Sequence, residues 1–255
     1  MTSQSPLARF SNRAKDYAKY RPTYPEAAIL KVLAPTASIG LQIPRVADVG
    51  AGTGISARLM ADRGAQVIAI EPNLTMTQAA THHPGVVWQA GQAEATELPP
   101  QSVNLVTCFQ SFHWFEPDQA LPEFHRILSP QGTLALVWND RDPSEGFTQA
   151  LEHLIQGITR SNYLNSENRR SITTIEASPL FGPLQHSTFP HRQVLDYEGL
   201  LGRCRSSSYI PKTGESYGAL VAGLEQLFHQ WRSDQDTVEI LYQTHVYLTQ
   251  KQEKG

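Results

Sequence analysis

The 255-residue sequence has few cysteines, no long apolar run and no excess of basic residues. Its two cysteines, Cys108 and Cys204, are too few for a disulfide framework. No apolar stretch approaches the roughly 20 residues that a helix needs to cross a bilayer, and the first residues lack the apolar core of a signal peptide. A formal net charge of −3 provides no basic field to hold nucleic acid. We therefore expect a cytoplasmic monomer or homodimer without membrane or nucleic-acid partners.

The sequence also lacks histidines, cysteines and carboxylates at the spacing of a metal site. The pair His82-His83 has no cysteine or carboxylate at the spacing typical of a zinc site, so we expect no metal. The hydrophobic fraction of 40% and the charged fraction of 18% are ordinary for a globular protein. Composition alone therefore leaves the function open, and motifs have to decide it.

Short apolar runs alternate with helical patterns in the first half of the chain. Five runs are predicted as strands: Arg45–Val49, Gln66–Glu71, Val86–Ala90, Val103–Phe109 and Thr133–Trp138. Helices are predicted over Ile55–Arg63, Leu74–Thr81 and Asp118–Ile127. This alternation is typical of a parallel sheet with helices on both faces.

The pattern changes after Trp138. A helix is predicted over Gly146–Arg160, followed by a polar, irregular stretch to about Leu184. Two further helices, Tyr197–Arg203 and Tyr217–Trp231, and two strands, Leu184–Val194 and Val238–Leu248, complete the prediction.

A glycine-rich turn joins the first strand to its helix. Asp48 ends the strand, and Gly50, Gly52 and Gly54 follow at every second position. Such a strand, turn and helix start is typical of nucleotide-type cofactor sites. A dinucleotide fingerprint would place its third glycine at Ile55, so the spacing opposes that class. The alternative is a purely structural corner between strand and helix.

An acidic residue ends the second strand. Glu71 lies 21 residues after Gly50, where a carboxylate accepts hydrogen bonds from the two ribose hydroxyls of a nucleoside. The alternative is a solvated carboxylate at a strand end.

Three further motifs surround this core. Gly91-Gln92-Ala93-Glu94 leads to Leu98-Pro99 after the third strand, and Phe109–Phe115 reads F-Q-S-F-H-W-F after the fourth. Residues 10–25 follow the pattern F-x-x-x-A-x-x-Y-x-x-x-R-P-x-Y-P. The alternatives are a plain polar loop for the first motif, a packed histidine at His113 for the second, and an arm docked by its tyrosines for the third.

Together these motifs resemble class I S-adenosylmethionine (SAM)-dependent methyltransferases of the type 11 group. The D-x-G-x-G-x-G run resembles their cofactor loop, and the loop after Gly91 resembles their G-(D/Q)-A-E-x-L-P run with one extra residue. The F-H-W-F element and the N-terminal pattern resemble a subgroup that includes trans-aconitate methyltransferases. The resemblance covers about residues 10–140, and the remainder only by topology.

The resemblance implies an α/β fold in one domain, 1–255. We expect a Rossmann-like, mostly parallel seven-stranded sheet with an antiparallel last strand, helices on both faces and a small helical lid. The expected parts are cofactor-covering helices in 10–34, a SAM-binding core in 45–139, a substrate lid in 140–183 and 205–235, and the last two strands in 184–194 and 237–249.

The resemblance also implies which residues bind the cofactor. Gln92 and the Ala93 N–H would read the adenine edge, and the Leu74–Met76 segment would flank it together with Pro72. Arg21 would pair with the carboxylate of the methionine part or with an acidic substrate. The implied cofactor residues are Tyr17, Arg21, Asp48, Gly50, Ala51, Gly52, Thr53, Glu71, Pro72, Met76, Gln92, Ala93, Glu94 and Gln110.

The implied reaction is methyl transfer to a small molecule, of which a carboxylic acid is the class that the subgroup suggests. Candidate substrate residues are Tyr24, His113, Trp114, Arg141 and Tyr209. Candidate partners for an acid are Arg21, Arg141, Arg192, Arg203 and Arg205. His113 is the candidate base, because neutral imidazole is available near pH 7. The alternatives are a macromolecular acceptor, a non-catalytic SAM-binding protein, or a dinucleotide oxidoreductase.

Overall fold

The computed structural model describes residues 13–38, 40–144, 146–159 and 163–253, with the backbone alone for residues 163–167 and 169. Residues 10–12 of the predicted N-terminal segment and Arg160 of the predicted helix lie outside the described residues. The chain divides into two compact units. We call the first the sheet unit, comprising Thr23–Asn139, Leu164–Phe189 and Thr244–Gly255, and the second the helical unit, comprising Met1–Pro22, Asp140–Tyr163 and Pro190–Gln243.

Seven strands form one sheet in the order β3-β2-β1-β4-β5-β7-β6. The strands are β1 Arg45–Val49, β2 Gln66–Ile70, β3 Val86–Gln89, β4 Val103–Phe109, β5 Leu128–Arg141, β6 Gln185–Leu195 and β7 Val238–Gln250. Strands β5, β6 and β7 contribute residues to both units. The first five strands pair in parallel and the last strands are antiparallel, which confirms the predicted fold class.

Helices connect the strands as predicted. In the sheet unit they are α2 Glu26–Ser38, α3 Ile55–Ala61, α4 Leu74–Gln78, a 3-10 turn at Phe112–Trp114, and α5 Pro117–Ile127. The helical unit contains α1 Ala14–Tyr20, α6 Gly146–Thr159, α8 Tyr197–Arg205 and α9 Glu215–Trp231; α7, Tyr163–Glu176, lies almost wholly in the sheet unit.

Neighbouring residues of the central strands face opposite sides of the sheet. Ala47 and Val49 of β1 belong to one apolar cluster, with Phe124 of α5, whereas Val46 belongs to a second cluster, with Ile29 of α2. Successive strand side chains point to opposite faces, so two separate cores require a sheet covered on both sides. These covered faces position the carboxyl ends of β1, β2 and β4, where the predicted motifs begin.

Strand β5 is longer than predicted, because it begins at Leu128 and not at Thr133. Val103 pairs with Leu128 and Leu105 pairs with Thr133, so the segment 129–132 bulges between two paired residues. Gln131 accommodates the bulge at a φ of 60°. The bulge joins the predicted strand to the earlier residues of β5.

The prediction of a polar, irregular stretch is wrong at its centre, because Tyr163–Glu176 form helix α7. Ile172 and Ile175 of this helix pack on the apolar cluster of the sheet that contains Phe124, and Ile175 has no exposed surface. Two isoleucines three residues apart are too sparse a pattern to indicate a helix from the sequence. Residues 164–183, which the prediction assigned to the lid, accordingly belong to the sheet unit.

The helical unit has an apolar core of its own. Leu151 of α6, Leu200 of α8, and Leu220 and Leu224 of α9 have no exposed surface and pack with Tyr242 of β7. Leu220 and Leu224 are four residues apart and therefore lie on one face of α9. This core anchors the segments that carry the candidate arginines.

Candidate functional site

The glycine-rich turn adopts a backbone that only glycine accommodates easily. Gly50, Gly52 and Gly54 have φ values of 68°, 60° and 72°. A Cβ on Gly50 would lie 2.7 Å from the Ser111 side chain, and one on Gly54 would lie 2.8 Å from the Trp88 ring. Positive φ and close packing both exclude larger residues, because a Cβ would add steric strain. The turn therefore places main chain where side chains would otherwise stand.

Glu71 lies against this turn with half of its acceptor capacity used. The Gly52 N–H donates to Oε2 and the Asn73 N–H donates to Oε1, each at 2.9 Å. The residue is 9% exposed, and burial raises the pKa of its carboxyl although the two backbone hydrogen bonds oppose that rise. Each carboxylate oxygen has two lone pairs, so one acceptor position remains on each. Two adjacent acceptor positions suit a vicinal diol.

Thr53 supplies an orphaned polar atom in the same turn. Its hydroxyl is buried and has no hydrogen-bond partner among the described residues. Ala51 beside it is 9% exposed. A buried hydroxyl without a partner is unfavourable, so this atom is one that a bound ligand would satisfy.

Asp48 stabilises the glycine-rich turn through two side-chain hydrogen bonds. The Ser56 hydroxyl donates to Oδ2 at 2.6 Å and the Thr107 hydroxyl donates to Oδ1 at 2.7 Å. Asp48 has no exposed surface, and burial, the largest cause, raises the pKa of its carboxyl to about 6. Its position ties β1 to α3 and β4, which is the role of a positioning residue rather than of a residue at the ligand surface.

The residues predicted around the adenine lie in two segments of the sheet unit, one at the start of α4 and one in the loop after β3. Pro72 is exposed and Met76 of α4 is buried. Gln92 exchanges backbone hydrogen bonds with Ala95 at 3.2 Å in both directions, leaving its side chain exposed, while Ala93 is buried. Glu94 accepts the Glu116 N–H at 2.8 Å.

The aromatic segment after β4 contains a strained residue and a fixed histidine. Gln110 has a φ of 56°, and its side-chain amide donates to the Asn139 carbonyl at 3.1 Å. The buried Trp138 Nε1–H donates to His113 Nδ1 at 3.4 Å, and the His113 ring lies 4.8 Å from that of Trp114. Because indole can only donate, His113 Nδ1 is the acceptor and a neutral ring carries its proton on Nε2.

Tyr24 belongs to the sheet unit, where its ring packs edge-on against Phe109 with 4.7 Å between centroids. Tyr17 and Arg21 belong to the helical unit. The Arg21 guanidinium lies 4.7 Å from the centroid of the Tyr17 ring. The helix that precedes Arg21 ends at Tyr20, and Arg21 itself is extended.

All five candidate arginines belong to the helical unit, and three of them interact with one another or with the same tyrosine. Arg141 pairs with Glu152 at 2.6 Å and donates to the Tyr209 hydroxyl at 3.0 Å. Arg203 is 5% exposed and close enough to Arg21 to lower the pKa of that guanidinium, an effect second to burial. We call Arg21, Arg141 and Arg203 the arginine cluster.

The other two candidate arginines are exposed. Arg192 lies 3.3 Å from Glu239 with 72% of its side chain exposed. Arg205 donates to the Tyr217 hydroxyl at 2.8 Å. Neither belongs to the arginine cluster.

Comparisons with known proteins agree with this geometry. Residues 47–136 match the family described as "Methyltransferase domain". An uncharacterized methyltransferase-like protein of Schizosaccharomyces pombe is 30% identical over 263 residues, which cover 99% of this chain and 99% of that protein. The chain belongs to the methyltransferase family.

A second relative and a solved structure extend the comparison. An uncharacterized methyltransferase of Mycobacterium bovis is 38% identical over 149 residues, covering 57% of this chain and 58% of that protein. A solved structure of a candidate type II methyltransferase from Anaeromyxobacter dehalogenans has a TM-score of 0.70 and covers 90% of this chain and 97% of that chain. At 19% identity, this likeness shows the fold alone. The predicted class I SAM-dependent methyltransferase is confirmed, while the trans-aconitate subgroup stays a prediction.

Among the described residues of the methyltransferase, no helix is both long enough and apolar enough to span a membrane. No three histidine, cysteine or acidic side chains in that part of the chain are grouped closely enough to hold a metal ion.

Several functional residues of this methyltransferase carry no signal in the sequence. Ser111 holds the turn in place by donating to the Val49 carbonyl at 2.7 Å, 62 positions away. Trp138 orients His113, and Glu152 pairs with Arg141. Each acts on a residue distant in the chain, so only the folded arrangement identifies it.

We expect Asp48→Asn to remove a pH dependence of stability. Because the folded-state pKa of about 6 lies above the ordinary value of 3.8, the folded chain binds more protons than the unfolded chain between those values. The free energy of unfolding therefore falls as the pH rises through this window, by about 3 kcal/mol in total. The asparagine is neutral throughout and still bonds both hydroxyls.

Denaturant unfolding at about pH 4 and about pH 8 measures this difference. The free energy of unfolding of Asp48→Asn, relative to that of the wild type, should increase as the pH rises. That of Asp234→Asn, at an exposed aspartate, should change with pH as the wild type's does. Parallel pH profiles for Asp48→Asn and the wild type would contradict the assignment.

Proposed function

We propose that this methyltransferase transfers the methyl group of SAM to a small-molecule acceptor, and that the acceptor is a carboxylic acid. The observation that carries the cofactor assignment is the half-satisfied carboxylate of Glu71 beside the glycine-rich turn. A carboxylate with one open acceptor position on each oxygen matches the ribose diol of a nucleoside.

The residues of the turn fit SAM on two further grounds. Thr53 presents a buried hydroxyl without a partner among the described residues, and the positive-φ glycines allow a ligand close to the main chain. When bound, SAM supplies a methyl group on a positively charged sulfur. The chain's contribution is to bind and align the two reactants in a dry site.

Six of the predicted cofactor residues have specific proposed tasks. Glu71 binds the ribose hydroxyls, and Gln92 and Ala93 read the adenine. Met76 provides a buried apolar surface beside Pro72 for the adenine ring. Asp48 acts through the turn by holding Ser56 and Thr107.

The state of His113 supports an acceptor that is already ionised. With Nδ1 accepting from Trp138, a neutral ring carries its proton on Nε2, and that nitrogen cannot take another proton. Protonation at Nδ1 would leave the Trp138 N–H facing another N–H. A carboxylate needs no base for methylation, whereas a hydroxyl or a carbon acid does. We therefore propose that methyl transfer proceeds without His113 acting as a base.

Calorimetric titration of the purified protein with SAM, S-adenosylhomocysteine (SAH), NAD and NADP tests the cofactor. We expect the two adenosyl ligands to bind and the two dinucleotides not to bind. Transfer of radiolabelled methyl from SAM to a panel of small acids, alcohols and amines then tests the acceptor. Binding of NAD in place of SAM would overturn the proposal, and methylation confined to a macromolecule would overturn its small-molecule part.

A further inference from the structure

The arginine cluster of the helical unit contains more positive than negative charge. Within the described residues, Glu152 is the one carboxylate at ion-pair distance from the cluster, and it pairs with Arg141. Arg21 and Arg203 have no such partner there. A buried guanidinium without a counter-charge is costly, so the interior of the unit favours a ligand that brings negative charge.

Arg13, in the same unit, is an arginine that uses most of its hydrogen-bond donors. Its guanidinium donates to three backbone carbonyls, those of Arg205 at 2.7 Å, Ser207 at 2.5 Å and Ile210 at 2.8 Å. Arg21, by contrast, makes a single hydrogen bond of 3.3 Å, to the Ser206 carbonyl. Its buried Nε has no partner among the described residues. Arg13 therefore stabilises the fold, whereas Arg21 keeps most of its hydrogen-bonding capacity.

Arg203 is held in place but not saturated. It donates from Nε to the Tyr242 hydroxyl at 3.0 Å and from Nη1 to the Ser207 hydroxyl at 2.9 Å. These two bonds use part of the five N–H donors of a guanidinium. Both partners are neutral oxygens, so the charge of Arg203 is solvated but not neutralised.

Tyr209 adds a polarised hydroxyl to the cluster. Burial raises its pKa, but the nearby Arg141 and Arg203 guanidinium groups outweigh that effect and lower it. Arg141 holds the hydroxyl at 3.0 Å, and Arg13 fixes the backbone on both sides of it through Ser207 and Ile210. An acidic, immobilised hydroxyl is a strong hydrogen-bond donor to an anion.

We propose that Arg21 and Arg203, with the Tyr209 hydroxyl, bind a small molecule that carries two negative charges. Two guanidinium groups lack a counter-charge, so two negative charges complete the cluster. The charges are those of two carboxylates or of one phosphate group. The inference rests on the proposed function in that this dianion is the small-molecule methyl acceptor, and the proposed carboxylic acid corresponds to the case of two carboxylates.

Calorimetry with glutarate, inorganic phosphate and butyrate, at low salt and with SAH present, tests the inference. We expect glutarate or phosphate to bind more tightly than the monoanion butyrate. Comparing the affinities for glutarate and phosphate distinguishes two carboxylates from one phosphate group. Arg21→Gln and Arg203→Lys should each weaken the bound dianion about 10-fold to 100-fold, as expected for the loss of a charged hydrogen bond. Arg205→Gln, an exposed arginine two positions from Arg203, is the matched control and should bind like the wild type.

Glu152→Gln should change the affinity for the dianion in the opposite direction. It removes the carboxylate of the cluster, so we expect it to bind the dianion several-fold more tightly than the wild type. Its melting temperature should rise more on adding the dianion than that of the wild type, because ligand binding stabilises the folded state by mass action. If one of these variants does not fold, the others replace it in the comparison, because Arg21, Arg203 and Glu152 are changed separately.

The outcomes separate the inference from the proposed function. SAH binding without any dianion binding would overturn the inference and leave the cofactor assignment standing. An equal loss of SAH and dianion affinity in Arg21→Gln would assign Arg21 to the cofactor carboxylate and overturn its place in the site. No binding of SAH at all would overturn the proposed function instead.

Discussion

Glu71→Ala is expected to lower the affinity for SAH about 10-fold to 150-fold, which corresponds to roughly 1.5–3 kcal/mol for hydrogen bonds to a charged group. The carboxylate accepts the Gly52 and Asn73 N–H groups and has one open acceptor position on each oxygen. The variant loses both open positions, so the ribose diol loses its charged acceptor. Calorimetric titration with SAH measures the effect.

The variant also leaves two backbone N–H groups without their acceptor, so a matched pair of controls is needed. Glu71→Gln keeps the size of the side chain and one acceptor oxygen, and should lie between the wild type and Glu71→Ala. Glu225→Ala removes an exposed glutamate of α9 and should bind SAH like the wild type. Undiminished SAH affinity in Glu71→Ala would exclude Glu71 from the cofactor site.

Gly50→Ala is expected to destabilise the protein by about 2–5 kcal/mol. A left-handed backbone costs a non-glycine residue about 1–2 kcal/mol. The added Cβ would also lie 2.7 Å from Ser111 Cβ and 3.0 Å from the Phe115 ring, and overpacking costs a further 1–3 kcal/mol, roughly. Because Ser111 is tied to the Val49 carbonyl, it cannot move away without losing that hydrogen bond.

Gly64→Ala separates the two causes of destabilisation, which are the left-handed backbone and the steric overlap of the added Cβ. Gly64 also has a positive φ, of 87°, but a Cβ there would meet nothing within 4 Å. Urea unfolding of the two variants should therefore give a smaller loss for Gly64→Ala, and the difference measures the overlap at the turn. Equal losses would mean that the turn relaxes around the new methyl group.

The central strands were predictable because their signals are local. Arg45–Val49 and Val103–Phe109 were predicted with the bounds that the structure has, since each is an apolar run bounded by turn residues. Helix α7 was not predictable in the same way. Its described apolar contacts, Ile172 and Ile175, are too few to produce a helical pattern, and it is the sheet cluster that buries them.

The candidate site shows the same division. The sequence placed Gly50, Gly52, Gly54 and Glu71 in one motif, because their spacing reflects a strand, a turn and the next strand end. It also placed Asp48 there, and only the fold shows that Ser56 and Thr107 occupy both of its oxygens.

The sequence by itself determined the methyltransferase class, the order of strands and helices through the first half of the chain, and the residues of the glycine-rich turn. These depend on residues close together in the chain, whose spacing matches the period of a strand or a helix. Only the tertiary structure decided which arginines form a cluster, how Trp138 sets the proton of His113, and which carboxylate keeps open acceptor positions. These depend on burial and on contacts between residues far apart in the chain, such as Arg13 and Ile210, 197 positions apart, and no local pattern records them.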